Sequence, residues 1–157
     1  MHKHAELITR FYEGFQRRDT AAMAACYHPQ VVFSDAVFQG LKGERARAMW
    51  RMLGERGKDL RMEFRDVQAD DLHGSAHWEA WYTFSGTGRK VHNIIEAHFE
   101  FRDGLIWQHR DEFDLHRWAG QALGLIGKLL GGTKGLQNKI RTNAAKALDD
   151  YIAGKSK

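Results

Sequence analysis

The sequence predicts an α+β fold: a curved antiparallel or mixed sheet of about four to six strands, with three N-terminal helices across its concave side and a helical tail. Three observations carry that expectation. Helical periodicity of apolar residues is concentrated toward the two ends of the chain. Apolar and polar residues alternate through the middle, and clusters of Asp, Ser and Gly cut that middle into hairpins.

From Ala5 to Gln16, Leu7, Ile8, Phe11, Tyr12 and Phe15 recur at three- and four-residue steps, the stripe of an amphipathic helix. Asp19 reads as the N-cap of a second helix, Thr20 to Tyr27, ended near His28 because the single proline, Pro29, follows. A short strand is expected from Val31 to Phe38, which places Phe33 and Asp35 on one face. Residues 43–56 carry Ala46, Met49, Trp50 and Leu53 on one side and Glu44, Arg45, Arg47 and Arg51 on the other, a third helix. Beyond Gly57 alternation takes over: Leu60, Met62 and Phe64; Trp78, Ala80, Tyr82 and Phe84; Ile95, Ala97, Phe99 and Phe101; then Trp107, Phe113 and Leu115. The turns fall at Asp70, Asp71 and Gly74, at residues 85–88, and at Asp103-Gly104. A Gly-rich hinge, 124–135, leads to a last amphipathic helix, 136–152, with Leu136, Ile140, Leu148 and Tyr151 on one side. The chain thus divides into a body, 1–118, and a hinge with a basic helix, 119–157, packed on the same domain.

The last hairpin decides which side chains look inward. A two-residue turn at Asp103-Gly104 sets Phe101, Phe99, Ala97 and Ile95 against Ile106, Gln108, Arg110 and Glu112, which puts charge on an apolar face. A three-residue loop with Gly104 in the left-handed conformation sets them against Trp107, His109, Asp111 and Phe113. The second register is preferred, and it leaves Asp111 opposite the small Ala97.

Composition excludes several classes. With 157 residues, 43% of them hydrophobic, the chain has enough apolar matter for one core. No apolar run reaches a membrane-spanning length, and the start lacks a signal-peptide stretch, so a cytoplasmic protein is expected. The single cysteine, Cys26, has no partner for an internal disulfide and reads as a small buried residue. Of the net charge of +4, residues 117–157 contribute eight Lys/Arg against two Asp/Glu, so the excess belongs to the tail. That tail lacks an aromatic-basic stacking pattern and its apolar stripe is short. It reads as a helix folded over the body rather than as a nucleic-acid or membrane contact.

The helix pair ending in RRDTAAMAACYHPQVVFSD, the helix start GERARAMW and the strands IIEAHFEFRDGLIWQHRDEFDL resemble the nuclear transport factor 2-like superfamily over about residues 5 to 118. Within it the SnoaL-like polyketide cyclases are most similar, the ketosteroid isomerases and limonene-epoxide hydrolases more distantly so. The resemblance implies a cone-shaped sheet around a deep apolar pocket, usually in a homodimer. It places Asp35 where the isomerases keep a proton-shuttling aspartate and Asp111 where the cyclases keep an acid/base aspartate. The isomerase oxyanion donors fall at Phe11 and Ala97 and are missing, and the hydrolase Arg-x-Asp pair has no counterpart between His77 and Phe84.

The candidate catalytic residues are therefore Asp111, His109 and Asp35. A carboxylate facing an apolar interior is desolvated, which suits proton exchange, and a histidine two residues away can orient it. Tyr27, Phe33, Trp50, Trp78, Tyr82, Asn93, Ala97 and Phe113 are the expected lining of a site for a small, largely apolar molecule. The alternative is a binding module of the same fold without catalysis. Nine histidines raise the question of metal. However, His77 and His98, expected opposite one another on the outer face beside Glu79 and Glu96, lack metal-site spacing, and no metal or cofactor is called for. That outer face, with Trp81 and Ile94 at its centre, is the expected homodimer surface.

Overall fold

The structure is a computed structural model that describes residues 1–154, so the last three residues of the tail lie outside the described residues. Helix α1 (Lys3–Gln16) buries the predicted stripe, and α2 (Thr20–Ala25) begins at Asp19, whose carboxylate accepts from the Ala22 N–H. The second helix stops two residues earlier than expected. Tyr27 already belongs to strand β1 (Tyr27–Ser34), pairs with Ile106, and turns its ring into the core, where it is 3% exposed. Pro29 sits in the irregular stretch of that pairing, where a missing N–H costs no ladder bond. After the two-residue β2 (Leu41–Lys42) comes α3 (Glu44–Arg56). Arg18 ties the α1–α2 corner to the end of α3 by donating to the carbonyls of Gly54, Gly57, Lys58 and Leu60.

Strands β3 (Arg61–Ala69), β4 (His73–Phe84), β5 (Arg89–Arg102) and β6 (Leu105–Glu112) complete a six-stranded sheet in the order β2-β1-β6-β5-β4-β3. Among the described strands only β1 and β6 run parallel. Register irregularities in β1, β3 and β6 bend the strands, and the sheet curves around α1 and α3. This is the α+β architecture expected. Leu7, Ile8, Phe11, Phe15, Met49 and Trp50 supply the helical half of the core.

The β5–β6 hairpin combines the two registers considered. Asp103 and Gly104, with φ of 55° and 74°, form a two-residue turn, so Phe101 pairs with Ile106 and not with Trp107. Trp107 is then the extra residue of a β-bulge, its ring under the Arg102 guanidinium at 3.7 Å. Past it Phe99 pairs with His109 and Ala97 with Asp111, as expected. Phe113 falls beyond the strand, half-buried, and Leu115 opens a helix instead of ending a strand.

The expected hinge is largely helical. Asp114 caps α4 (Leu115–Leu123), which is followed by α5 (Leu125–Leu130) and α6 (Lys134–Ile152). Leu148 is fully buried in the main core, Arg45 pairs with Asp149, and Tyr151 bonds Glu55, so α6 lies back along α3. A second cluster, Val91, Leu115, Trp118, Ala119, Ala122 and Ile140, closes the end of the sheet beside Tyr82 and Phe113.

The outer face also differs from expectation. His77 pairs with Glu96 and His98 with Ser75, so the two histidines are not opposed and neither are Glu79 and Glu96. Instead His77 bridges both carboxylates, and Glu79 also takes His92 at 2.7 Å. These partners hold Glu79 down to about 2, hydrogen bonds from His77 and His92 being the main cause. Among the described residues no group of three His, Cys, Asp or Glu is arranged to hold a metal ion.

Candidate functional site

The bulge at Trp107 puts Ile106, His109 and Asp111 on the concave face together, with the last two 1% and 4% exposed. Around the His109 ring stand Phe99 (centroids 4.4 Å apart), Phe33 (4.9 Å), Phe11 (5.5 Å) and the stacked Trp50 (6.0 Å). An imidazole enclosed by rings needs partners for both nitrogens, and it has them. Tyr27 Oη lies 2.7 Å from Nδ1 and Asp111 Oδ1 lies 2.9 Å from Nε2, while Trp50 Nε1 donates to Tyr27 Oη at 2.8 Å.

The donor inventory orients this chain. Indole only donates, so Tyr27 accepts from Trp50 and spends its own proton on Nδ1. A neutral His109 then carries its proton on Nε2 and donates it to Asp111. The Asp111 carboxylate receives no other hydrogen bond among the described residues, which leaves its second oxygen available to a reacting group.

Asp35 does not continue β1 as expected. It forms a turn in which its carboxylate accepts from the Val37 and Phe38 N–H groups at 2.7 and 2.6 Å. Asp35 retains some exposed surface, but its carboxyl is deep enough that burial pushes it up to about 7. The charge of Asp111 adds to the rise, against the backbone donors. The charge of Asp111 thus reaches Asp35 across the interior, and Asp35 titrates near neutrality.

Of the expected lining, Tyr27, Phe33, Trp50, Trp78, Asn93 and Ala97 are buried, while Tyr82 and Phe113 are half-buried at the end covered by α4. Tyr82 accepts from Trp118 Nε1 at 2.7 Å. A cleft of about 260 Å³ opens beside Tyr82, lined by Asp59, Arg61, Trp81, Lys90 and His92. Among the described residues two buried side-chain polar atoms have no hydrogen-bond partner: Tyr12 Oη and Trp78 Nε1, on rings 5.9 Å apart. Burial raises the Tyr12 hydroxyl well above its ordinary value, and Asp111's charge adds to that. In the sequence Tyr12 reads only as part of the apolar stripe of α1. The signal it carried was a phenol on a face otherwise filled by Phe and Ile, where the ring fits and the hydroxyl is left over.

The SnoaL-like domain family matches residues 8–109. The chain belongs to that family. The match ends at His109, so Asp111 and the C-terminal helices lie beyond it. Among solved structures, a candidate polyketide cyclase from Xanthomonas campestris pv. campestris is 25% identical with a TM-score of 0.62, covering 76% of this SnoaL-like chain and 96% of its own. An LEH-like epoxide hydrolase from M. tuberculosis is 20% identical (TM-score 0.63, covering 82% and 96%), and TsrD from Streptomyces laurentii is 24% identical (0.63, covering 78% and 96%). None of the curated proteins compared with the SnoaL-like chain matches it.

Proposed function

We propose that this SnoaL-like protein binds a small, largely apolar organic molecule within the cone and performs general acid/base chemistry on it. The observation that carries the reading is the buried chain Trp50–Tyr27–His109–Asp111, which fixes one tautomer and ends on a carboxylate with an uncommitted oxygen. Asp111 is the base, His109 orients it and shares its proton, and Asp35, protonated on about half the molecules near pH 7, is the acid. Tyr12 Oη and Trp78 Nε1 are donors left over for an oxygen of the substrate. The reaction classes that fit are aldol cyclisation, isomerisation by proton transfer, and water addition to an epoxide. The similarity to a candidate polyketide cyclase supports the first.

A second reading, a binding module without catalysis, is favoured by Phe11 and Ala97 standing where the isomerases carry their donors. Incubation of the protein with polyketone, enone and epoxide probes in deuterated buffer separates the two. The enzyme reading expects solvent deuterium or product in the probe, lost in Asp111→Asn with binding retained. Binding without exchange by the unaltered protein leaves the module. We also place the protein in the cytoplasm as a homodimer through the outer face around Trp81 and Ile94, the latter 40% exposed. Light scattering that returns a mass of 18.1 kDa overturns the dimer.

A further inference from the structure

Helix α5 is built inside out. The residue it turns toward the body is Gly127, while Leu125, Ile126, Leu129 and Leu130 stand 70, 61, 70 and 50% exposed. The cause is steric. A Cβ on Gly127 would run into the Ala119 carbonyl, and one on Gly131 into Gly127 and His116, so α5 seats on α4 only through glycine. Its aliphatic side is left outward. Soluble surfaces scatter such residues singly, whereas four on a helix of about 9 Å make one patch.

The stretch of chain that carries the patch is charged with one sign. Between Asp114 and Asp149 the chain carries Arg117, Lys128, Lys134, Lys139, Arg141 and Lys146 and no Asp or Glu. Lys128, Lys134 and Lys139 are exposed and make no ion pair among the described residues. We propose that α5 docks this protein on an anionic lipid bilayer, with the four aliphatic side chains entering the headgroup boundary and the three lysines meeting lipid phosphates. A second copy of the chain would set like charge against like across the same patch. A six-residue helix also falls well short of the roughly 800 Å² per partner of a stable protein interface. The contact is peripheral, since among the described residues no helix is long and apolar enough to cross a membrane. It does not depend on what the cone binds.

The test is co-sedimentation of the full chain with vesicles of phosphatidylcholine alone and of equimolar phosphatidylcholine and phosphatidylglycerol. Binding is expected to the anionic vesicles only and to weaken with salt. It should fall by about tenfold or more in Leu125→Ser/Leu129→Ser and by about fivefold in Lys134→Glu. Both variants alter exposed side chains and should keep the circular dichroism of the unaltered protein. Equal recovery with and without anionic vesicles, or undiminished binding by both variants, overturns the proposal. So does a solution dimer that dissociates on Leu125→Ser/Leu129→Ser, because the patch would then be an interface between copies.

Discussion

Replacing Asp35 by Asn isolates the cost of an enclosed carboxyl. The amide oxygen can still accept from the Val37 and Phe38 N–H groups, so the turn is kept and only the ionisation is removed. In the folded protein Asp35 is raised from its ordinary 3.8 to about 7. Below 3.8 both folded and unfolded chains hold the proton, and the group contributes nothing to the pH dependence. Between 3.8 and about 7 the unfolded chain releases it first, so stability falls as pH rises, and above about 7 the loss is complete. At ~1.4 kcal/mol per tenfold separation of the two constants the ceiling is about 4 kcal/mol, and solvent reaching the exposed part of the residue reduces the expectation to about 2 kcal/mol. Urea unfolding of both proteins at about pH 5 and about pH 8 measures it. Asp35→Asn should gain on the unaltered protein as pH rises, with the larger advantage at the alkaline point. An equal offset at both, or an advantage only in acid, refutes the claim that the Asp35 carboxyl is enclosed.

Tyr27→Phe removes the hydroxyl shared by Trp50 and His109 and leaves two buried nitrogens unpaired. A loss of about 2–4 kcal/mol in chemical unfolding is expected, together with loss of any Asp111-dependent exchange. Gly127→Ala drives a methyl group into the Ala119 carbonyl, so limited proteolysis should cut between residues 124 and 133 in the variant and spare the unaltered protein. Glu79→Gln takes away the largest influence raising His77, and NMR titration should show that ring losing its proton at lower pH than in the unaltered protein.

Most of the fold is legible because its cause is local. The stripe of α1, the cap at Asp19 and the alternation of β4 and β5 each follow from a few neighbouring residues, and each is found in place. Misreadings arise where a distant partner overrides the local signal. Tyr27 reads as helical until its hydroxyl is set between Trp50 and His109, and Asp35 reads as strand until two backbone N–H groups claim its carboxylate. The glycines of 124–135 suggest a loose connection, yet close packing on α4 makes part of that stretch a helix. The inward placing of His109 and Asp111 is legible because facing Arg110 and Glu112 into an apolar face costs more than adding a residue to the hairpin. Nothing in the spacing shows that Tyr12 Oη and Trp78 Nε1 would lack partners, since that depends on every surrounding side chain.

The bulge at Trp107 works as a phase defect in the strand. An even-numbered residue, Ile106, and two odd-numbered ones, His109 and Asp111, share the buried face because one residue between them is not counted by β5. The hairpin tip and the His109–Asp111 pair can therefore vary in length independently. A strand lacking Trp107 would be straighter but would still present His109 to Phe99, whereas a one-residue deletion between His109 and Asp111 would place the two on opposite faces. Equivalent residues in SnoaL-like chains are then found by the partner they face on β5, and a count from the turn misplaces them wherever the defect is absent.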